Sequence, residues 1–169
     1  VVCWGSDDGS DSDFGQVTDA PGPEEGPFAQ IGSGAFHSCA LDTEGSIHCW
    51  GINETNFDLD LWYEIDHYPW DDGQTTPPSG TYKYLSVGVN HNCAIDMDGE
   101  IECWGSDYSG EVSDRPFGIF DTVSAGMGYN CAKRNDGEVL CWGENYSGQL
   151  DRVPPCNIDS PECLPPVSV

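Results

Sequence analysis

One pattern of eighteen residues occurs three times in this chain, and it constrains the fold more than any other feature of the sequence. Each copy begins and ends on glycine and places Cys-Ala, a turn glycine and Cys-Trp-Gly at the same offsets. The copies occupy residues 34–51, 88–105 and 126–143. A pattern repeated in fixed register predicts a fold that uses one structural unit several times.

Each copy is typical of a β-hairpin. Short runs with β-branched and aromatic residues flank an acidic residue followed by glycine, and such a glycine can adopt the positive φ that a tight turn requires. Residues 28–33, 82–87 and 120–125 precede the three copies, and each segment opens with an aromatic residue. They predict a further strand before each hairpin. No segment has sustained helical periodicity, so the sequence predicts an all-β chain.

The two cysteines of each copy are ten positions apart and equidistant from the turn. Residues that face each other in a hairpin have Cβ atoms about 4.5–5.5 Å apart, which suits a disulfide. Zinc is the alternative, but zinc ligands are usually separated by two to four residues. We therefore predict three cross-strand disulfides, each worth about 2–3 kcal/mol on the chain-entropy model. The predicted pairs are Cys39–Cys49, Cys93–Cys103 and Cys131–Cys141.

Three cysteines lie outside the complete copies. Cys156 and Cys163 are seven positions apart and can close a loop of their own, which leaves Cys3 unpaired. Cys3 belongs to a partial repeat, residues 1–5, and residues 166–169 match the end of a lead-in strand. In register, the partner of Cys3 would fall in a piece that neither end supplies. This favours a longer parent chain, and the alternative is strand addition between subunits.

Charge and cysteine content restrict the class of protein. The chain has 30 acidic and 5 basic residues, a formal net charge of −25. Nucleic-acid affinity depends on Lys and Arg displacing counterions, so we expect no nucleic-acid partner. Many cysteines that can pair indicate an oxidising, extracellular or cell-surface location. No apolar run approaches the length of a membrane span, and none is predicted.

Four aspartates near the start of the chain are candidate metal ligands. Calcium loops use carboxylates at nearly alternate positions, and this acidic stretch approximates that spacing without matching the full EF-hand pattern. A solvated acidic turn is the alternative. Calcium is the one cofactor that the sequence suggests, with candidate ligands Asp7, Asp8, Asp11 and Asp13.

The longest segment between copies, residues 52–80, is the least similar to the repeat and is rich in aromatic residues beside carboxylates. Aromatic side chains of this kind form protein contacts or stack on sugars. The alternative is that the segment folds back and buries them. The candidate binding residues are Trp62, Tyr63, Tyr68 and Trp70.

Two other patterns indicate surface or core roles. Asn53 and Asn145 each begin an N-glycosylation acceptor sequence just after a Cys-Trp-Gly. His37 and His91 occupy one repeat position, where the third copy has Tyr129. This exchange keeps a ring with a polar tip and discards a metal ligand. We therefore predict a buried ring with a hydrogen-bonded polar atom, and not a metal site.

The pattern of a lead-in strand, Gly-x-x-His-x-Cys-Ala-Leu, a glycine turn and a strand ending in Trp-Gly resembles the regulator of chromosome condensation repeat family. The second cysteine, before the tryptophan, looks like the secreted bacterial form of that repeat. The resemblance implies a seven-bladed β-propeller of four-stranded blades. It also implies a protein-binding scaffold, since members of the family include nucleotide exchange factors and secreted inhibitors of β-lactamases.

Together these features predict one all-β repeat domain over residues 1–169, a partial propeller or a segment of a larger one. Its complete repeats are residues 28–51, 82–105 and 120–143, joined by long loops. Those loops are residues 6–27, 52–80 and 144–165.

The predicted function is an extracellular structural or protein-binding scaffold, which could assemble head-to-tail. One alternative is a specific secreted binding protein, an inhibitor or adhesin, whose binding could depend on calcium. Another is a glycan-binding or glycan-active protein. The sequence has no Gly-x-Ser-x-Gly, His-Glu-x-x-His or phosphate-binding glycine loop, so we do not predict an enzyme.

Overall fold

The structure, a computed structural model, describes residues 1–5, 7–9, 13–52 and 72–151. This part of the chain is almost entirely β, with one short 3₁₀ helix at Pro23–Glu25. The strands are β1 (Phe28–Ser33), β2 (His37–Asp42), β3 (Ile47–Gly51), β4 (Tyr82–Val87), β5 (His91–Asp96), β6 (Ile101–Gly105), β7 (Phe120–Ala125), β8 (Tyr129–Arg134) and β9 (Val139–Gly143). No helix within these ranges is long and apolar enough to cross a membrane.

The strands form three antiparallel sheets, each made from three consecutive strands in chain order. We call them blades 1, 2 and 3. The lead-in strand pairs with the first strand of each hairpin, which confirms the predicted all-β repeat. The family resemblance implied a fourth strand per blade, but the described blades have three. Between blades 2 and 3, residues 106–119 form turns, and their glycines and proline interrupt any regular strand.

The hairpin turns explain part of the acidity of the chain. Their glycines have φ between +93° and +95°, a conformation that favours glycine. In blade 1, Asp42 Oδ1 accepts the backbone N–H groups of Glu44 and Ser46, both at 2.8 Å. Asp96 holds the equivalent turn of blade 2 in the same way. These carboxylates therefore stabilise tight turns through local backbone hydrogen bonds.

The three cross-strand disulfides that the spacing predicts are present. In each hairpin the two cysteines are directly opposed in the register, and their Cα atoms are 4.0–4.1 Å apart. Each disulfide thus connects the middle strand to the last strand of one blade. Cys3 is free and half-buried, and the predicted pair of Cys156 and Cys163 lies outside the described residues.

Successive blades stack face to face, as in a β-propeller. Strand β4 packs on β1 and β2, and β7 packs on β4 and β5. Two apolar cores result, one at each junction. The first contains Cys39, Leu41, Tyr82, Leu85, Ala94 and Trp104. The second contains Cys93, Ile95, Ile101, Cys103, Phe120, Val123, Ala132 and Trp142.

Backbone hydrogen bonds also join each blade to the next. The Tyr82 N–H donates to the carbonyl of Gly45, at 2.8 Å, and the Phe120 N–H donates to that of Gly99, at 2.9 Å. In both cases the turn of one blade holds the first residue of the following lead-in strand. The junctions of blade 1 with blade 2 and of blade 2 with blade 3 therefore use the same contacts.

Candidate binding surfaces

A second, shorter repeat forms the loops between blades. In each copy, glycine precedes Gln or Glu, whose side-chain oxygen accepts a backbone N–H two residues earlier, at 2.6–2.9 Å. We call these the capping loops, residues 14–17, 72–75, 109–112 and 147–150. They were not predicted above, although the sequences Phe-Gly-Gln-Val, Asp-Gly-Gln-Thr, Ser-Gly-Glu-Val and Ser-Gly-Gln-Leu contain the signal.

The backbone carbonyls of the capping loops are acceptors for the repeated tryptophans. Trp50 Nε1 donates to the carbonyl of Gln16 at 3.0 Å. Trp104 Nε1 makes the same bond to Gln74, also at 3.0 Å. Trp142 Nε1 donates to the carbonyl of Glu111 at 2.9 Å. The three indoles are buried, so they are packing residues that also hold the capping loops by a hydrogen bond.

The repeated histidines link neighbouring blades. His37 Nε2 lies 2.8 Å from Asn92 Oδ1, and His91 Nε2 lies 2.8 Å from Asn130 Oδ1. Each asparagine also donates through Nδ2 to a capping-loop carbonyl, that of Gln74 or Glu111. Because Oδ1 only accepts, each histidine must donate from Nε2. The predicted buried ring with a hydrogen-bonded polar atom is therefore confirmed for both histidines.

Burial lowers the pKa of both histidines. For His37 the desolvation outweighs the opposing effect of the hydrogen bond to Asn92. For His91 desolvation again dominates over the hydrogen bond to Asn130 and the nearby carboxylates of Glu111 and Asp107, which raise the pKa. Both rings are accordingly neutral in the folded chain near pH 7.

The first glycine of each repeat allows the blades to approach closely. A Cβ added at Gly34 would lie 2.6 Å from the carbonyl oxygen of Gly88, and one added at Gly88 would lie 2.7 Å from that of Gly126. Either distance is too short for a side chain. The N–H of Ala35 uses this proximity to donate to the carbonyl of Val89, at 2.9 Å. The repeated glycine is thus required by blade-to-blade contact.

Replacing Asn130 by Ala should test how much these polar contacts stabilise the stack. The substitution leaves His91 Nε2 buried without its partner and removes one of the two hydrogen bonds to the carbonyl of Glu111, which keeps the bond from Trp142. We expect a loss of about 2–4 kcal/mol in the free energy of unfolding, measured by urea titration. Ser38 holds the equivalent position in blade 1, where its hydroxyl, among the described residues, bonds only that of Ser33. Ser38→Ala is the control and should cost less than about 1.5 kcal/mol; equal losses would contradict this account.

We call the face by which a blade packs on the preceding blade its leading face, and the opposite face its trailing face. The leading face of blade 1 exposes an apolar side chain. Ile31 is 57% exposed, whereas the equivalent Leu85 and Val123 are 8% and 2% exposed because the preceding blade covers them. All three face an alanine across the sheet. Blade 1 therefore presents to solvent the face that blades 2 and 3 bury.

The trailing face of blade 3 differs from those of blades 1 and 2. Lys133 stands where those blades have the buried Leu41 and Ile95. A Cβ at the turn glycine Gly137 would meet nothing within 4 Å. The equivalent Gly45 lies against Thr81 of the next blade. None of the described residues covers this face as blade 2 covers blade 1.

Comparison with known proteins identifies the repeat. A family model described as the regulator of chromosome condensation (RCC1) repeat matches residues 28–56 and 120–149. Two of the three repeats in this chain therefore match the RCC1 repeat. The second copy has the same strands, disulfide and blade contacts as the two matched copies. The chain matches no curated protein sequence.

Solved structures with propeller domains share the fold of these RCC1 repeats. The ectodomain of the Arabidopsis thaliana receptor kinase ACR4 is 23% identical over 73% of this chain, with a TM-score of 0.53. Human WBSCR16 is 19% identical over 70%, with a TM-score of 0.54. Prp20p from Saccharomyces cerevisiae is 19% identical over 73%, with a TM-score of 0.53. The matched parts cover 42%, 33% and 32% of those chains, so this chain spans less than half of each.

The acidic stretch before the first RCC1 repeat is organised by backbone contacts. Asp13 accepts the N–H groups of Gly9, at 2.9 Å, and Gly15, at 3.3 Å. Within the described ranges, no three His, Cys, Asp or Glu side chains are grouped so that they could hold a metal ion. Asp7 and Asp8 are described and Asp11 is not, so a calcium site formed by these aspartates remains a prediction.

The other predicted sites are only partly visible. The acceptor asparagine Asn145 lies on an exposed loop, where its Nδ2 donates to Asp151 Oδ1 at 2.8 Å and its Oδ1 accepts the Leu150 N–H at 2.9 Å. Asn53 lies outside the described residues. So do all four aromatic residues of the predicted binding loop, Trp62, Tyr63, Tyr68 and Trp70.

Proposed function

We propose that this chain is an extracellular protein-binding scaffold whose uncovered blade faces receive further propeller blades. The observation that carries the proposal is the exposure of Ile31, at a position that both blade junctions within the chain bury. An exposed apolar side chain on a sheet face favours a covering partner, because burying it removes apolar area from water. A blade of the same kind has the complementary shape, since the two internal junctions are built on the same positions.

The trailing face of blade 3 supports the same proposal with a different chemistry. Backbone N–H groups of the following blades bind the turn carbonyls of Gly45 and Gly99, and no described residue binds the equivalent carbonyl of Gly137. Lys133 ion-pairs with Asp121 at 3.0 Å, so this face has an ion pair where the internal junctions have the apolar Leu41 and Ile95. One uncovered face is a leading face and the other is a trailing face, so a further blade can pack on each. Because the two faces differ in composition, each favours a particular neighbouring blade.

The added blade can belong to the same polypeptide or to another subunit. In the second case the contact joins a leading face to a trailing face and is heterologous, so repetition gives a ring or a filament. An extracellular location is supported by the three disulfides, which persist in oxidising compartments. The net charge of −25 supports solubility of such a scaffold and opposes a polyanionic partner.

Ile31→Asp should weaken association of the chain through its leading face. We expect a concentration-dependent increase in sedimentation coefficient for the parent chain at micromolar concentration, and a loss of at least about tenfold in association constant for the variant. Ile119 is also 57% exposed but precedes β7, away from the face of blade 1. Ile119→Asp adds the same charge and should leave association unchanged. A parent chain that stays monomeric and melts sharply would refute assembly between subunits.

A further inference from the structure

Two neighbouring capping loops form a surface that none of the functions above explains. The Glu144 N–H donates to the carbonyl of Gly128 at 2.7 Å. A Cβ built at Gly128 would lie 2.7 Å from Glu144 Oε2 and 3.5 Å from Glu111 Oε1. Carboxylates from both loops therefore face the same turn of blade 3. We call residues 106–114, 126–128 and 144–151 the acidic-aromatic surface.

Three large side chains of this surface are exposed. Tyr108 and Tyr146 occupy equivalent positions in the two loops, two residues before the capping-loop glycine, and are 79% and 89% exposed. Met127, on the turn between them, is 68% exposed. Exposed tyrosines on well-held loops provide contact area at a small cost in conformational entropy. These rings are therefore suited to contact a partner.

Both loops are held by their own hydrogen bonds. Asp107 Oδ1 accepts the N–H groups of Val112, at 2.9 Å, and Ser113, at 3.0 Å. Burial pushes the pKa of Asp107 upward, but these hydrogen bonds outweigh that effect and leave the pKa below its usual value. Asn145 closes the second loop in the same way through the Leu150 N–H. The tyrosines thus stand on preorganised loops, one of which carries a carboxylate that is ionised at neutral pH.

The surface is also strongly acidic. It contains Asp107, Glu111, Asp114, Glu144 and Asp151, and neither loop contains Lys or Arg. The adjacent Arg115 directs its Nε to the backbone carbonyl of Ile101, at 3.0 Å. Among the described residues Arg115 forms no ion pair with these carboxylates, and the five acidic residues outnumber it, so the surface complements a cationic partner.

Glu111 is the most informative of these carboxylates. The other three capping loops have glutamine at this position, namely Gln16, Gln74 and Gln149. Glu111 is only 4% exposed; its Oε2 accepts the Ser109 N–H at 2.6 Å, and no described residue donates to Oε1 or forms an ion pair with it. Oε1 is not among the buried side-chain atoms that lack a partner, so it reaches solvent, but the carboxylate as a whole is largely removed from water and its charge is costly there without a cation. An amide would satisfy the same loop without that cost.

We infer that the acidic-aromatic surface binds a cationic polypeptide segment of a protein partner. Guanidinium or ammonium groups of the segment stack on Tyr108 and Tyr146 and pair with the surrounding carboxylates, and one of them approaches the open oxygen of Glu111. Arginine fits better than lysine, since its planar group can stack on a ring and bond a carboxylate with two N–H groups. The inferred contact uses exposed side chains of the loops, whereas added blades would pack on the sheet faces of blades 1 and 3, so either proposal can fail alone. The two share only the capping loop 147–150, because the equivalent loops bind the following blade through backbone carbonyls.

Calorimetric titration with an octa-arginine peptide at about 0.15 M salt tests the inference, with an octa-lysine peptide and a Gly-Ser octamer for comparison. Glu111→Gln gives the loop the residue of the other three and should preserve the fold. We expect that variant and Tyr108→Ala/Tyr146→Ala each to reduce octa-arginine affinity by at least about fivefold. Octa-lysine should bind more weakly, and the Gly-Ser peptide should not bind.

Matched controls separate this site from general attraction to an acidic chain. Asp98→Asn removes one charge from the hairpin turn of blade 2, and Phe117→Ala removes an aromatic ring that is also exposed but lies outside the surface. Each should change octa-arginine affinity by less than about twofold. An equal loss in controls and site variants, or no octa-arginine binding by the parent chain, would overturn the inference. Intact disulfides and an unchanged melting temperature in Glu111→Gln would show that a loss of binding is not a loss of fold.

Discussion

Reduction of the three disulfides is expected to unfold the chain at 37 °C. Each one closes a short loop within a single blade and is worth about 2–3 kcal/mol, so the three together contribute about 6–9 kcal/mol. That sum approaches the whole stability of an ordinary domain, about 5–15 kcal/mol. Circular dichroism during a thermal melt, with and without a phosphine reductant, should show a folded chain only in the oxidised sample. Identical melts would contradict this expectation.

Single disulfides should differ in importance according to burial. Cys93 and Cys103 belong to the core between blades 2 and 3, whereas Cys131 and Cys141 are half-buried on the trailing face of blade 3. Cys93→Ala/Cys103→Ala should therefore lower the melting temperature more than Cys131→Ala/Cys141→Ala, because it also removes packing from a closed junction. A reversed order would mean that the trailing face is covered in solution.

Acidification from pH 7.5 to pH 5 is expected to destabilise the stack of blades. The folded-state pKa values of His37 and His91 are lowered, first of all by desolvation, so the unfolded chain binds more protons than the folded chain below about pH 6.5. The stability that the neutral rings provide is therefore present above that pH and lost as the pH falls toward the folded-state values. The melting temperature should drop by several degrees over this interval.

Variants can assign this pH dependence to the two buried histidines. The double variant His37→Gln/His91→Gln retains a donor toward each asparagine but cannot titrate, so its melting temperature should be flatter between pH 7.5 and pH 5. The pKa values of carboxylates such as Asp42 and Asp107 are lowered, so these groups stabilise the fold above about pH 4. Their contribution to stability is lost only as the pH falls below that value, outside the interval measured. A parent-like profile in the double variant would exclude the histidines as the cause.

The sequence was sufficient to predict the hairpins and their disulfides because both depend on short-range spacing. The midpoint between Cys93 and Cys103 falls within a tight turn, so opposition of the two side chains follows from local geometry. The exchange of His37 and His91 for Tyr129 correctly indicated a ring that packs rather than a metal ligand. These inferences needed only one repeat, or a comparison of equivalent positions along the chain.

The blade junctions were less accessible to sequence reasoning. His37 binds Asn92, 55 residues away, and nothing in either copy alone identifies the partner. The capping loops were missed because the insertion between blades 1 and 2 changes their distance from the preceding Trp-Gly. Glu111 follows Gly105 by six residues, whereas Gln74 follows Gly51 by twenty-three. A search in fixed register therefore fails, although the loop itself forms the same hydrogen bonds each time.

The bonds between His37 and Asn92 and between His91 and Asn130 all run from one blade to the blade that follows it. Blade 2 carries both parts, the donor His91 on its trailing side and the acceptor Asn92 on its leading side, so this unit has a head and a tail. Duplication of one unit, inserted in the same orientation, would therefore create a new junction from parts that already fit. Genes encoding such chains can change the number of units by recombination without first evolving an interface, and a protein engineer can lengthen or shorten the stack in the same way.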